Sequence, residues 1–259
     1  MEHSDDKKDL HRRDWIAGLD RGLAILEVFD RERPQLTATE VGRATGLTRS
    51  AARRYLLTLE HLGYLFSDGK QFGLTPRVLK IGWSYFDSAA LPGLLRPYLQ
   101  RITASTGESV YASVLDGRDV VFIARNVSNR IMASAFALGA RTPAQLAVAG
   151  IMLLSFLDRD ALQAWLDRVT LVPSSVHTIL DKSLLLREIE QARGRGYAVL
   201  EQQQQVGVRG ICVPLLNRDG KVVAALSVSM PMVKESGEDA IARVLPVLQE
   251  TANNLIAVL

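Results

Sequence analysis

From Leu19, large apolar residues return at spacings of three and four (Leu19, Leu23, Leu26, Phe29), the pattern of one buried helix face. Asp20 is placed to cap this helix, and the polar run Asp30–Pro34 ends it. Thr37-Ala38-Thr39-Glu40 is a capping box for a second helix, Leu36 is positioned to staple onto Val41, and Gly46 closes the element. Thr48 caps a third. At about 100° per residue, Ala52, Tyr55, Leu56, Leu59 and Leu62 share one arc of that helix, while Arg49, Ser50, Arg53 and Arg54 share the opposing arc. Tyr64–Ser67 and Lys70–Leu74 then read as two short strands around Asp68-Gly69, a dipeptide suited to a two-residue type I′ turn. Helix, helix, helix, hairpin is the order of a winged helix-turn-helix.

After Thr75-Pro76-Arg77 the pattern predicts a linker helix over residues 78–92, broken at Leu91-Pro92-Gly93. The rest mixes strands and helices without βαβ alternation, which predicts an α+β domain. Helices are expected over Leu94–Ser105, Asp160–Arg168, Lys182–Arg195 and about Glu238–Ala257. Strands are expected near Glu108–Leu115, Asp119–Arg125, Arg130–Phe136, Tyr197–Glu201, Arg209–Leu216 and Lys221–Met230. Thr142-Pro143-Ala144-Gln145 reads as a second capping box, opening an apolar helix to Leu157. The tract Gln202–Gln205 reads as a polar loop with no role of its own. Four regions result: a mobile arm (1–14), the winged helix-turn-helix (15–77), the linker helix (78–92) and the α+β domain (93–259).

The 259 residues are 47% hydrophobic, enough for one large domain or two small ones, with a single cysteine and no apolar leader. The longest uncharged stretch, Thr142–Leu157, contains Gln145 and Ser155 and falls short of the roughly 20 apolar residues a bilayer span requires. A cytoplasmic protein without a membrane partner is expected. Net charge is only +3, but residues 43–80 hold seven basic side chains against Glu60 and Asp68, leaving the remainder of the chain negative. That concentration points to double-stranded DNA. Arginines on the third helix can bridge O6 and N7 of guanine, Ser50 can bond to bases or phosphates, and Thr48 exposes helix N–H groups suited to a phosphate. Lys70 and Gln71 would add backbone contacts from the wing.

Catalytic signatures are missing. The chain has no G-x-S-x-G, Walker loop, strand-linked G-x-G-x-x-G, H-E-x-x-H or C-x-x-C, and its four histidines lack metal-ligand spacing. Cys212 lies in an apolar strand with nothing near it in sequence to activate a thiolate. No catalytic residue, metal or cofactor is therefore expected. The competing reading is a metabolite-binding enzyme with an appended DNA-binding domain, which would need a catalytic group beside its ligand.

Several runs together resemble the IclR family of bacterial transcription regulators: Gly18–Leu26, Gly46-Leu47-Thr48-Arg49-Ser50, Leu59–Tyr64, Leu74–Leu79, Val114-Leu115-Asp116-Gly117, Arg130-Ile131-Met132, Gly196–Val199 and Ala224–Ser229. Within it the chain is most similar to the branch that controls protocatechuate, 4-hydroxybenzoate and β-ketoadipate catabolism. The resemblance implies that residues 93–259 form a GAF-like effector-binding and oligomerisation domain with a curved antiparallel sheet, and it implies a homodimer or tetramer, a near-palindromic operator and a small aromatic or other organic acid as effector. By motif position its pocket would be lined by Gly139–Gly150, including Gln145 and Ala149, by the strand starting at Gly210, and by Ser227 and Ser229. Strand alternation also puts those two serines on one face. A carboxylate ligand would need a cation, and Arg141 beside Thr142 is the first candidate, with Arg125 and Arg130 as alternatives. Met132, Phe136 and Tyr111 are candidate apolar walls. The chain departs from the branch at Ala144–Ala149, where polar side chains are usual, and at Gly210, where serine or cysteine is common.

Overall fold

The computed structural model describes residues 14–30, 32–128, 136–232 and 235–259, and the chain divides into two units, Met1–Ser88 and Ala89–Leu259. The arm expected over 1–14, apart from Asp14, and the strand expected over 130–136, apart from Phe136, lie outside the described residues.

In the first unit, helices α1 (Ala17–Glu27), α2 (Ala38–Thr45) and α3 (Arg49–His61) are joined by a small sheet of β1 (Gln35–Thr37), which lies between α1 and α2, and β2 (Leu65–Ser67) and β3 (Gln71–Leu74), which follow α3, ordered β1-β3-β2. The capping box on α2 forms as the sequence dictates: Thr37 N donates to Glu40 Oε2 at 2.7 Å and Glu40 N donates to Thr37 Oγ1 at 3.3 Å. Leu36 and Val41 are both buried. Ile25, Phe29, Ala52, Leu56, Leu65 and Phe72 complete this core. Three expectations need correction. Leu19 and Leu23 are exposed; of the expected stripe only Leu26 and Phe29 reach the core, joined by the fully buried Ile25. Ile16, not Asp20, is the N-cap residue of α1, and it makes no side-chain cap. The wing turn is not type I′, which needs positive φ at both central residues; among them only Gly69 has it (93°). Asp68 closes that turn by accepting from Lys70 N and Gln71 N at 2.8 and 2.7 Å.

A 3₁₀ turn (Pro76–Val78) and helix α4 (Leu79–Ser88) follow, and α5 runs from Ala90 to Thr106. The helix expected over 78–92 is thus divided at Ala89, whose backbone is extended, and Leu91-Pro92-Gly93 falls inside the first turns of α5. Proline is tolerated there because the first turn has no internal acceptor for the missing N–H.

The second unit is built on a six-stranded, wholly antiparallel sheet, ordered β6-β5-β4-β9-β8-β7. Its strands are β4 (Ser109–Asp116), β5 (Asp119–Asn126), β6 (Arg141–Pro143), β7 (Ala198–Glu201), β8 (Val208–Leu216) and β9 (Val222–Pro231). Alternation assigns the two faces. Ile211, Val213, Leu226 and Val228 pack with α5 and α9 (Gly237–Ile256). Cys212 and Ala225 face the other layer, with α6 (Val148–Leu154), α7 (Arg159–Arg168) and α8 (Lys182–Arg195). The capping-box reading of Thr142–Gln145 is corrected here. Thr142 pairs with Val120 across the sheet edge, Ala144–Leu146 is a 3₁₀ turn, and α6 begins only at Val148, with no side-chain cap.

Candidate functional site

Helix α3 presents Arg49, Ser50, Arg53 and Arg54 to solvent while Ala52 and Leu56 are fully buried beneath them. Thr48 caps the helix, accepting from Ala51 N at 3.2 Å, and its hydroxyl lies 3.2 Å from Ser50 Oγ. Among the described residues none of the three arginines forms an ion pair, so all three guanidiniums are available to a polyanion. Lys70 is exposed on the wing and Gln71 half-buried. All seven residues expected to touch DNA therefore lie on α3, its N-cap or the wing.

The second unit holds a partly open cavity of about 350 Å³ between the sheet and α6. One wall is aromatic. Phe122 and Phe136 stack at 4.3 Å with an interplanar angle of 8°, and Tyr111 sits edge-on to both, at 5.4 and 5.7 Å. Arg125 steadies this wall by donating to the Phe136 carbonyl at 2.6 Å. Burial pushes the Tyr111 phenol above its ordinary pKa, against the pull of Ser109 and the Arg125 charge, so it stays protonated and able to donate at neutral pH. Gly210 lies on the same sheet face, paired with Ser229, and Val148 and Ala149 come from α6. Ser227 and Ser229 contribute hydroxyls from β9. Ser227 is only 4% exposed, and among the described residues neither serine hydroxyl has an intramolecular partner.

Of the residues expected at a ligand, Phe136, Ala149, Gly210, Ser227 and Ser229 line this cavity. Met132 lies outside the described residues. Gln145 is buried in the 3₁₀ turn with its Oε1 unpaired, but it is not part of the lining. Arg141 is corrected. Its guanidinium is taken up by Asp116 at 2.7 Å and Asp119 at 3.1 Å, on the exposed side of the sheet edge and away from the cavity.

The sequence reading overlooked the Gln202–Gln205 tract, which lines the cavity. It is anchored from outside: Ser175 Oγ donates to Gln202 O, Ser174 Oγ to Gln204 O at 2.9 Å, Thr178 Oγ1 to Gln203 O at 2.7 Å, and Ile179 N to Gln203 Oε1 at 2.7 Å. Gln202 holds φ = 56°, the one positive value at a non-glycine residue among those described. The signal available beforehand was the Ser/Thr-rich stretch 174–178, whose short side chains suit loop-to-loop bonding.

Residues 18–69 match the IclR helix-turn-helix domain, and residues 83–257 match the bacterial transcriptional regulator IclR C-terminal domain. The chain is 38% identical to the Pca operon regulatory protein of Acinetobacter baylyi, over 98% of this chain and 93% of that protein. To the p-hydroxybenzoate hydroxylase transcriptional activator of the same organism it is 36% identical, over 98% and 96%. A solved inducer-binding domain, from a double mutant of the PobR transcription factor of Acinetobacter in complex with 3-hydroxybenzoic acid, superposes with a TM-score of 0.62. That match has 31% identity and covers 66% of this chain and all of that one. With an arginine-faced helix in one matched domain and a partly open cavity in the other, the chain belongs to the IclR family of bacterial transcription regulators.

Proposed function

We propose that this regulator controls a catabolic operon in response to a small aromatic or other organic acid held in the cavity between α6 and the sheet. The observation that carries this reading is the wall of Tyr111, Phe122 and Phe136 beside the hydroxyls of Ser227 and Ser229, which have no partner among the described residues, a site with an apolar slot for a ring and donors for its substituents. The hydroxybenzoate complex of the PobR domain supports it by analogy. Arg49, Arg53 and Arg54 would read the operator from the major groove, with Thr48 and Ser50 at the helix start and Lys70 and Gln71 on the wing.

A homodimer or tetramer is part of the same proposal. The first unit exposes Trp15, Ile16, Leu19 and Leu23 near its first helix, and Leu79, Ile81, Trp83 and Tyr85 on α4, more large apolar surface than a lone monomer ordinarily leaves wet. Two-fold pairing sets half-sites about 34 Å apart, or a multiple of that spacing, on a near-palindrome. The relatives are named as regulators, and we read the cavity as a sensor that releases its ligand unchanged, working in the cytoplasm. Among the described residues no helix is long and apolar enough to cross a membrane.

The test is a mobility shift on the intergenic DNA beside the gene, with and without 4-hydroxybenzoate and protocatechuate, paired with thermal stabilisation by the same acids. Ligand-dependent change in DNA binding with the acid recovered intact supports the proposal. Chemical conversion of the acid, or DNA binding that no acid alters, refutes it.

A further inference from the structure

Val148, at the start of α6, packs directly onto Gly210 of β8, and both line the cavity. A Cβ built on Gly210 would lie 2.7 Å from Val148 Cγ1 and 3.0 Å from its Cβ, closer than nonbonded carbons approach. The side chain of Val148 thus occupies the space a residue at 210 would otherwise fill. Nor can Val148 retreat. Two residues along the same helix, Gly150 is pressed so closely on the preceding 3₁₀ turn that its own Cβ would fall 2.0 Å from Ala144 O, a backbone atom. The start of α6 is therefore pinned from behind, and Val148 projects from a fixed base.

We infer that the Val148–Gly210 contact is the size selector of this cavity, narrowing it beside the aromatic wall so that a single-ring acid is accepted and a fused two-ring acid is excluded. This rests on the reading of the cavity as the ligand site. What sets the width is the combined bulk at the two positions: two methyl groups on the helix side and none on the strand side. Moving that bulk from one wall to the other should leave the selection in place, whereas removing it should not.

The experiment compares 4-hydroxybenzoate with 6-hydroxy-2-naphthoate on the full chain, by calorimetric titration and thermal shift, for the parent, Val148→Ala and the transposed pair Val148→Gly with Gly210→Val. The parent should prefer the single-ring acid by tenfold or more. Val148→Ala should reverse or erase that preference through tighter binding of the naphthoate, and the transposed pair should restore it. If Val148→Ala binds both acids with the parent's preference, the selector is overturned while the ligand site stands. If neither acid binds any variant, although each melts cooperatively, the reading of the cavity as an aromatic-acid site fails and takes the selector with it.

Discussion

Helix α3 holds Arg49, Arg53 and Arg54 fully in water on an element whose other face is sealed by Ala52 and Leu56, whereas the second unit turns its candidate chemistry inward, on rings and hydroxyls. The first arrangement suits a partner that is itself a polyanion, since attraction to DNA is strongest from side chains free to displace its counterions. In the second, an unpaired hydroxyl shielded from bulk water discriminates strongly, because a ligand that fails to pair with it leaves a desolvated polar group. The two regions also differ in what holds them. The arginine face depends on one helix and its cap, while the cavity depends on strands and turns more than a hundred residues apart in the chain.

That contrast can be broken at its most constrained point first. Gly150→Ala should destabilise the second unit by about 3 kcal/mol or more, since the new methyl group would meet a backbone oxygen that cannot move aside. A thermal melt of the full chain with an unshifted midpoint would show that the turn before α6 is looser than described. Next, Arg53→Ala and Arg54→Ala should each cost ~1–3 kcal/mol of operator binding, unequally across base substitutions, with melting unchanged. Mobility shifts that match the parent on the same DNA would remove α3 from the interface.

Arg141→Ala sharpens the boundary between surface charge and cavity. Its pairs with Asp116 and Asp119 are largely exposed, so stability should fall by less than ~1 kcal/mol and affinity for an aromatic acid should stay within twofold. A tenfold loss of affinity would return Arg141 to the ligand. The smallest effect concerns pH. A hydrogen bond from Arg243 holds the Glu235 carboxyl below its ordinary range. The stability it contributes is present above the normal glutamate range and is lost as pH falls through the depressed folded value. Glu235→Gln should flatten that part of the acid limb, and an identical acid limb would show that the pair contributes nothing.

Legibility in the sequence followed the range of the interaction. The Thr37–Glu40 box, the Thr48 cap, the arginine arc and the long central strands are decided by neighbours within a turn or by alternation, and they could be placed from residue order. Thr142–Gln145 carries the same spacing as a capping box, yet pairing of Thr142 with Val120, 22 residues earlier, holds it in a strand. The glutamine tract looked idle because its partners, Ser174, Ser175 and Thr178, lie some 25 to 30 residues away. Leu19 and Leu23 fit a helical stripe without revealing that the core would take Ile25, Leu26 and Phe29 and leave these two outside. Arg141 had the right charge beside the expected pocket; what could not be read was that Asp116 and Asp119 would fold back to claim it.

The edges of the six-stranded sheet are short. β6 has three residues and ends in Pro143, which has no N–H to offer, and β7 has four before Gln202 turns the chain away with its positive φ. Among the described residues, neither β6 nor β7 itself offers the long ladder of free backbone groups on which another chain can build a strand. Copies that meet along these two short strands would therefore hold one another by side-chain surfaces, which can be released and remade, rather than by backbone zippering.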